Sequence, residues 1–245
     1  MANKLIQALP NVVTSCNLLM GCVATSYAFQ GQYMLAFLFI LAGGVFDFLD
    51  GLTARALHVS SPIGKELDSL ADDITFGLAP AAMVYTLLAS SVNAHPTLTA
   101  TAPLVSRLLP YASFLLAAFS ALRLAKFNLD ERQATTFIGL PTPANALFWG
   151  GLCAGSNTLL THAPWALPIT LTFVLIFSWL LVAPIPMFSL KFKRGQANTI
   201  PIVFLAISAL LLIWQLCTNG LNGALTTFSP IIALYIILSI LTPKR

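Results

Sequence analysis

The sequence predicts an all-α integral membrane protein of about eight transmembrane helices, both termini cytoplasmic, in one polytopic domain over residues 1–245. Three observations carry the prediction. Only 8% of the residues are charged and 58% are hydrophobic, against roughly 25% charged residues in a soluble domain. Apolar runs near the ~20 residues that cross a bilayer recur along the whole chain. The cations collect on one side of the threading that those runs define.

In order, the runs cover about 11–30, 32–50, 67–90, 107–124, 143–161, 165–187, 199–217 and 224–242, separated by short breaks of Pro, Gly, Asn or charge. The first follows "MANKLIQALPNVVTSCN", with one lysine and no small-residue cleavage site, and is expected to be a retained anchor rather than a signal peptide. The second ends in Asp47 and Asp50, and the third opens on Asp68 and Asp72. Arg123, Lys126 and Asn128 close the fourth. The fifth opens on "LPTPAN", Leu140 to Asn145, whose two prolines suit a helix N-terminus. After the sixth, "KFKR" at Lys191 to Arg194 reads as a topological anchor, and the last two runs are almost uninterrupted apolar sequence. No internal repeat stands out.

With the N-terminus inside, Lys4, Arg55, Lys65, Arg123, Lys126, Arg132, Lys191, Lys193, Arg194, Lys244 and Arg245 are cytoplasmic, and only Arg107 falls outside. The net charge of +4 needs no nucleic-acid partner, because cytoplasmic cations beside a bilayer attract anionic head groups. Cys16, Cys22, Cys153 and Cys217 show no CxxC pair and read as small apolar residues. His58, His95 and His162 read as loop residues.

The acidic residues are the exception to this bland pattern, since six of the eight lie between Phe46 and Asp73. Asp47 and Asp50 are spaced i,i+3 and Asp68 and Asp72 i,i+4, so each pair shares one helical face. The pairs stand on adjacent antiparallel helices at similar depth. Glu66 and Asp73 point off that face. Four converging carboxylates near the membrane repel one another, and Arg55 and Lys65 are too few to neutralise them. Divalent metal fits better, and an all-oxygen ligand set favours Mg²⁺, Mn²⁺ or Ca²⁺ over zinc or copper. Four aspartates could hold two such ions at the spacing used for in-line displacement at phosphorus. Gly43, Gly44, Gly51 and Ala54 leave room on the same face for a bulky ligand, and with Arg55 they suggest a diphosphate cleft.

Written out, Asp47-x-x-Asp50-Gly51-x-x-Ala54-Arg55-x8-Gly64-x3-Asp68-x3-Asp72 resembles the signature of the CDP-alcohol phosphatidyltransferase family, every spacing intact. "PNVVTSCNLLMG", "DSLADDITFGLAPA", "RLAKFN" and "FIGLPTPA" are similar to the serine-using branch, the phosphatidylserine synthases. Lys126, where that branch more often carries Arg, and "VAPIPMFS" at Val182 to Ser189 depart from it.

The resemblance implies two divalent ions, Mg²⁺ or Mn²⁺ and possibly Ca²⁺, held by Asp47, Asp50, Asp68 and Asp72, with Asp72 also the general base. It implies contacts to CDP-diacylglycerol from Asn11, Thr14, Gly51, Ala54 and Arg55. Arg123, Lys126 and Asn128 are placed to hold L-serine, whose carboxylate needs cations. Direct attack would give phosphatidylserine and CMP. The resemblance further implies a homodimer, and the site is expected at the cytoplasmic boundary of a membrane, most simply a bacterial inner membrane. The competing readings are a sister transferase using glycerol 3-phosphate or inositol phosphate, and a divalent-cation transporter.

Overall fold

The computed structural model describes residues 2–59, 61–129, 137–187 and 199–241. The readings of Asp130, Glu131, Arg132, Ser189, Lys191, Lys193, Arg194, Lys244 and Arg245, and of the Lys4 side chain, lie outside what is described. Helices α1 (Ala2–Phe29) and α2 (Tyr33–Ala56) form an antiparallel hairpin. Its turn uses Gly31 at φ 73°, a left-handed conformation that glycine adopts without a Cβ clash. α2 ends with the Val59 N–H donating to the Ala54 carbonyl at 3.0 Å, while His58 takes the left-handed position at φ 52°. His58 is thus a helix-terminating residue.

α3 (Pro62–Asp72) starts from Ser61, whose Oγ accepts the Gly64 N–H at 2.9 Å, with Pro62 in the first turn. The chain then widens into a π-helical turn, Asp73–Leu78, before α4 (Ala79–Ala94). The apolar run expected over about 67–90 thus falls on two α-helices joined by a wide turn. Short helices α5 (Pro96–Thr101) and α6 (Pro103–Leu108) lead through a 3₁₀ segment, Leu109–Phe114, into α7 (Leu115–Leu129).

Beyond them lie α8 (Thr142–His162), α9 (Ala166–Val182), α10 (Thr199–Thr226) and α11 (Phe228–Leu241). α9 ends five residues short of the expected 187, because Pro184 and Pro186 cannot continue a helix and Ala183 is already extended. α10 runs past the expected 217, across a kink at Gly220, to Thr226. A two-residue antiparallel pairing, β1 (Phe137–Ile138) with β2 (Pro186–Met187), ties the entry of α8 to the exit of α9. Gly139 N–H donating to the Ile185 carbonyl at 2.8 Å extends that tie.

Among the described residues, five helical stretches are long and apolar enough to cross a membrane: Ala8–Phe29, Tyr33–Ala56, Pro62–Ala94, Pro103–Leu129 and Pro201–Thr226. α9 and α11 are shorter apolar helices. The described residues are helical apart from the tiny strand pair, as in an all-α integral membrane protein.

The Pro62–Ala94 stretch is 67% buried over its most apolar window and Pro201–Thr226 only 11%, which makes α4 the axis and α10 an outer helix. Met83, Val84, Leu87 and Leu88 of α4 fill the centre. Lipid tails are as apolar as the helices, so association depends on close fit rather than on escape from water. Gly150 on α8 shows this: its missing side chain is where the Phe37 ring sits.

Candidate active site

α2 and α3 both pack on α1, which brings Asp47 and Asp50 of α2 to Asp68 and Asp72 in the second half of α3. Carboxylate oxygens of Asp47, Asp50 and Asp68 lie within 4.8 Å of one another. At that separation two unit charges repel by roughly 3 kcal/mol at an effective dielectric of about 20. Asp72, one turn beyond Asp68, has Asp47, Asp68 and Asp50 as its electrostatic neighbours. The Asp68 Oδ1 atom is buried and has no hydrogen-bond partner among the described residues. An orphaned carboxylate oxygen within a like-charged group fits a bound cation, and the all-oxygen donors suit a hard divalent ion.

Two of the four are held from α1. Thr14 Oγ1 donates to Asp50 Oδ2 at 2.6 Å, and Asn17 Nδ2 donates to Asp72 Oδ1 at 3.2 Å. Both donors are buried, at 3% and 0% exposure, so water does not compete for these bonds.

A hollow of about 280 Å³ opens beside the cluster, lined by Asn11, Thr14, Asp50, Gly51, Ala54 and Lys65 among others. Arg55 is exposed at its rim with its guanidinium folded along Gly51, so the cation in the lining is Lys65. On the other flank, a second hollow of about 360 Å³ is walled by Ile40, Leu41, Val45, Phe76 and Leu147, with Asp47 at its edge.

The three residues expected to meet serine are placed differently from one another. Arg123 is buried, donates to Thr142 Oγ1 at 3.3 Å, lies over the Phe127 ring and has Asp72 in electrostatic range. Lys126 is exposed. Asn128 Nδ2 donates to Ser69 Oγ at 2.8 Å and its carbonyl accepts from Lys65 Nζ at 3.2 Å, which fastens α7 to α3. Glu66 is exposed, and Asp73 turns away from the cluster to pack beside Ser120 at Gly77. Sequence reasoning overlooked Asn17. The available signal was its spacing, three residues after Thr14 and four before Gly21, a polar side chain on the close-packed face of an apolar run.

Fold and site together define an integral membrane protein with a carboxylate-lined site at one end of its helix bundle. The model of the CDP-alcohol phosphatidyltransferase family matches residues 7–240, and the chain belongs to that family. Among its relatives, three proteins named CDP-diacylglycerol–serine O-phosphatidyltransferase illustrate the likeness. That of Bacillus subtilis is 33% identical over 149 residues, 59% of this chain and 72% of the relative. That of Helicobacter pylori is 33% identical over 140 residues, 56% of this chain and only 54% of the relative. That of Mycobacterium tuberculosis is 30% identical over 241 residues, 95% of this chain and 75% of the relative.

Proposed function

We propose that this chain transfers the phosphatidyl group of CDP-diacylglycerol to the hydroxyl of L-serine, giving phosphatidylserine and CMP. The observation that carries the reading is the junction at the aspartates: a hollow with Asn11, Thr14, Ser61 and Lys65 in its wall on the Asp50 side and an almost wholly apolar one on the Asp47 side. That is the shape a nucleotide joined to a lipid requires. The names of the relatives supply the acceptor.

Asp47, Asp50, Asp68 and Asp72 would hold two divalent ions, Mg²⁺ or Mn²⁺ or else Ca²⁺, and ions bound there supply neutralisation of the diphosphate and the leaving group. Asn11, Thr14, Gly51 and Ala54 give the cytidine diphosphate a close wall, with Lys65 and Arg55 as positive charges. Arg123 takes the serine carboxylate; Lys126 and Asn128 shape the entrance above it. Asp72 accepts the proton of the serine hydroxyl, whose oxygen attacks the phosphorus that carries the diacylglycerol. The bond from that phosphorus to the CMP oxygen breaks, and CMP departs.

The topology proposed with this reading has eight spans in one domain: α1, α2, α3–α4, α6–α7, α8, α9, α10 and α11. Both termini and the aspartates face the cytoplasm of a bacterial inner membrane, as the cation distribution favours. The assembly is a homodimer through membrane helices. CMP release by purified protein, with CDP-diacylglycerol, Mn²⁺ or Mg²⁺, and L-serine, glycerol 3-phosphate or inositol 1-phosphate offered separately, tests the function. Release dependent on serine supports it; release with another acceptor instead moves the protein to a sister activity.

A further inference from the structure

We propose that Asn17 is the positioning residue for the Asp72 carboxylate, and that the bond from Thr75 to the Asn17 main chain holds the π-helical turn that aims it. This rests on the reading of Asp72 as the proton acceptor.

Asn17 is fully buried in an apolar helix, where an amide is costly unless it is hydrogen-bonded. Its Nδ2 reaches Asp72 Oδ1 at 3.2 Å, across 55 residues of sequence. The same residue's backbone carbonyl accepts Thr75 Oγ1 at 3.0 Å, and Thr75 is also fully buried. Thr75 belongs to the π-helical turn that begins directly after Asp72. Side chain and main chain of one α1 residue therefore grip α3 and its continuation at two points three residues apart.

Two glycines make that grip possible. A Cβ on Gly21 would lie 2.9 Å from the Thr75 Cα and N atoms, and one on Gly43 would lie 3.0 Å from Asn17 Oδ1. The backbones of α1, α2 and the wide turn thus meet where only glycine fits. The meeting also fixes the amide: with its oxygen against Gly43, the NH₂ group faces Asp72, and the reverse orientation would set oxygen against carboxylate. One Asp72 oxygen is tethered. That oxygen keeps a second lone pair for an ion, the other is left for the acceptor's proton, and rotation of the carboxylate, which would dilute the productive geometry, is restrained. Asn17 touches no substrate in this scheme and acts through Asp72 alone.

Steady-state CMP release by purified, full-length protein tests this with Asn17→Leu, similar in size and lacking the donor, and with Thr75→Val. Thr25→Val, whose hydroxyl bonds the Gly21 carbonyl on the same helix at 2.9 Å, is the control. Asn17→Leu is expected to lower kcat about 10- to 100-fold with both KM values within about twofold, because the lost interaction acts on the proton-accepting step. Thr75→Val is expected to lower kcat about 3- to 10-fold, and the double variant to be no worse than Asn17→Leu by more than about twofold, since both act through one carboxylate. Thr25→Val keeps the wild-type rate.

An Asn17→Leu protein with wild-type kcat, beside an active wild type, overturns the inference and leaves the proposed function standing. So does a fall in kcat matched by raised KM values and a lowered melting temperature, the mark of a purely structural role. A wild type that releases no CMP with any acceptor overturns the function and the inference together.

Discussion

Thr14→Val removes one hydroxyl from the carboxylate cluster while keeping the side chain's shape. The hydroxyl has one proton and two acceptors in reach, Asp50 Oδ2 at 2.6 Å and the Pro10 carbonyl at 3.1 Å. The shorter, charged partner takes it. A hydrogen bond to a charged group contributes about 1.5–3 kcal/mol, and Thr14 at 3% exposure and Asp50 at 7% leave little water to replace it. At about 1.4 kcal/mol per factor of ten, the variant should lose roughly 10- to 100-fold in kcat/KM for CDP-diacylglycerol. Titrating Mn²⁺ in the CMP-release assay should also show a raised half-saturating concentration, because Asp50 is left less firmly held. Thr14→Ser retains the donor and should stay within about threefold of wild type. A Thr14→Val enzyme within twofold of wild type at every Mn²⁺ concentration would refute the reasoning.

Three further outcomes follow from the same geometry. Asp72→Asn, which keeps shape but cannot accept a proton, should abolish CMP release while CDP still binds in calorimetry; retained turnover would remove Asp72 from the chemistry. Arg123→Gln should raise the KM for serine at least about 10-fold with little change in the KM for CDP-diacylglycerol, as loss of a charged partner for a carboxylate predicts. Gly21→Ala drives a Cβ to 2.9 Å from the Thr75 backbone and should cost about 1–3 kcal/mol by overpacking, visible as a lower melting temperature in detergent; an unchanged melting curve would mean that the helices part without strain.

The aspartates were legible in the sequence because i,i+3 and i,i+4 spacing is a property of the helix itself. Two such pairs on successive helices predict a meeting of carboxylates, and Asp47, Asp50 and Asp68 do meet, although α2 and α3 are joined through α1 rather than packed on each other. Most of the eight apolar runs likewise correspond to helices, since their length and composition are set by the bilayer. What lay beyond reach depended on contacts between elements. The π-helical turn at Asp73–Leu78 coincides with Thr75 bonding α1, which no periodicity in "DITFGL" discloses. The fate of Asn128, bonded to Ser69, and the exposed placement of Arg55 are likewise tertiary facts. The early end of α9 was readable after all, because Pro184 and Pro186 stand in the sequence.

The central claim is that the carboxylate cluster couples cleavage of a CDP-linked lipid to transfer of its diacylglycerol phosphate group onto serine. Its most direct test is the ratio of products: CMP and serine-containing phospholipid measured together from purified protein in nanodiscs with CDP-diacylglycerol, L-serine and Mn²⁺. The account predicts one phosphatidylserine for each CMP, with both lost when the ion is chelated and restored when it is returned. CMP without lipid-linked serine, or both products undiminished after chelation, would contradict it.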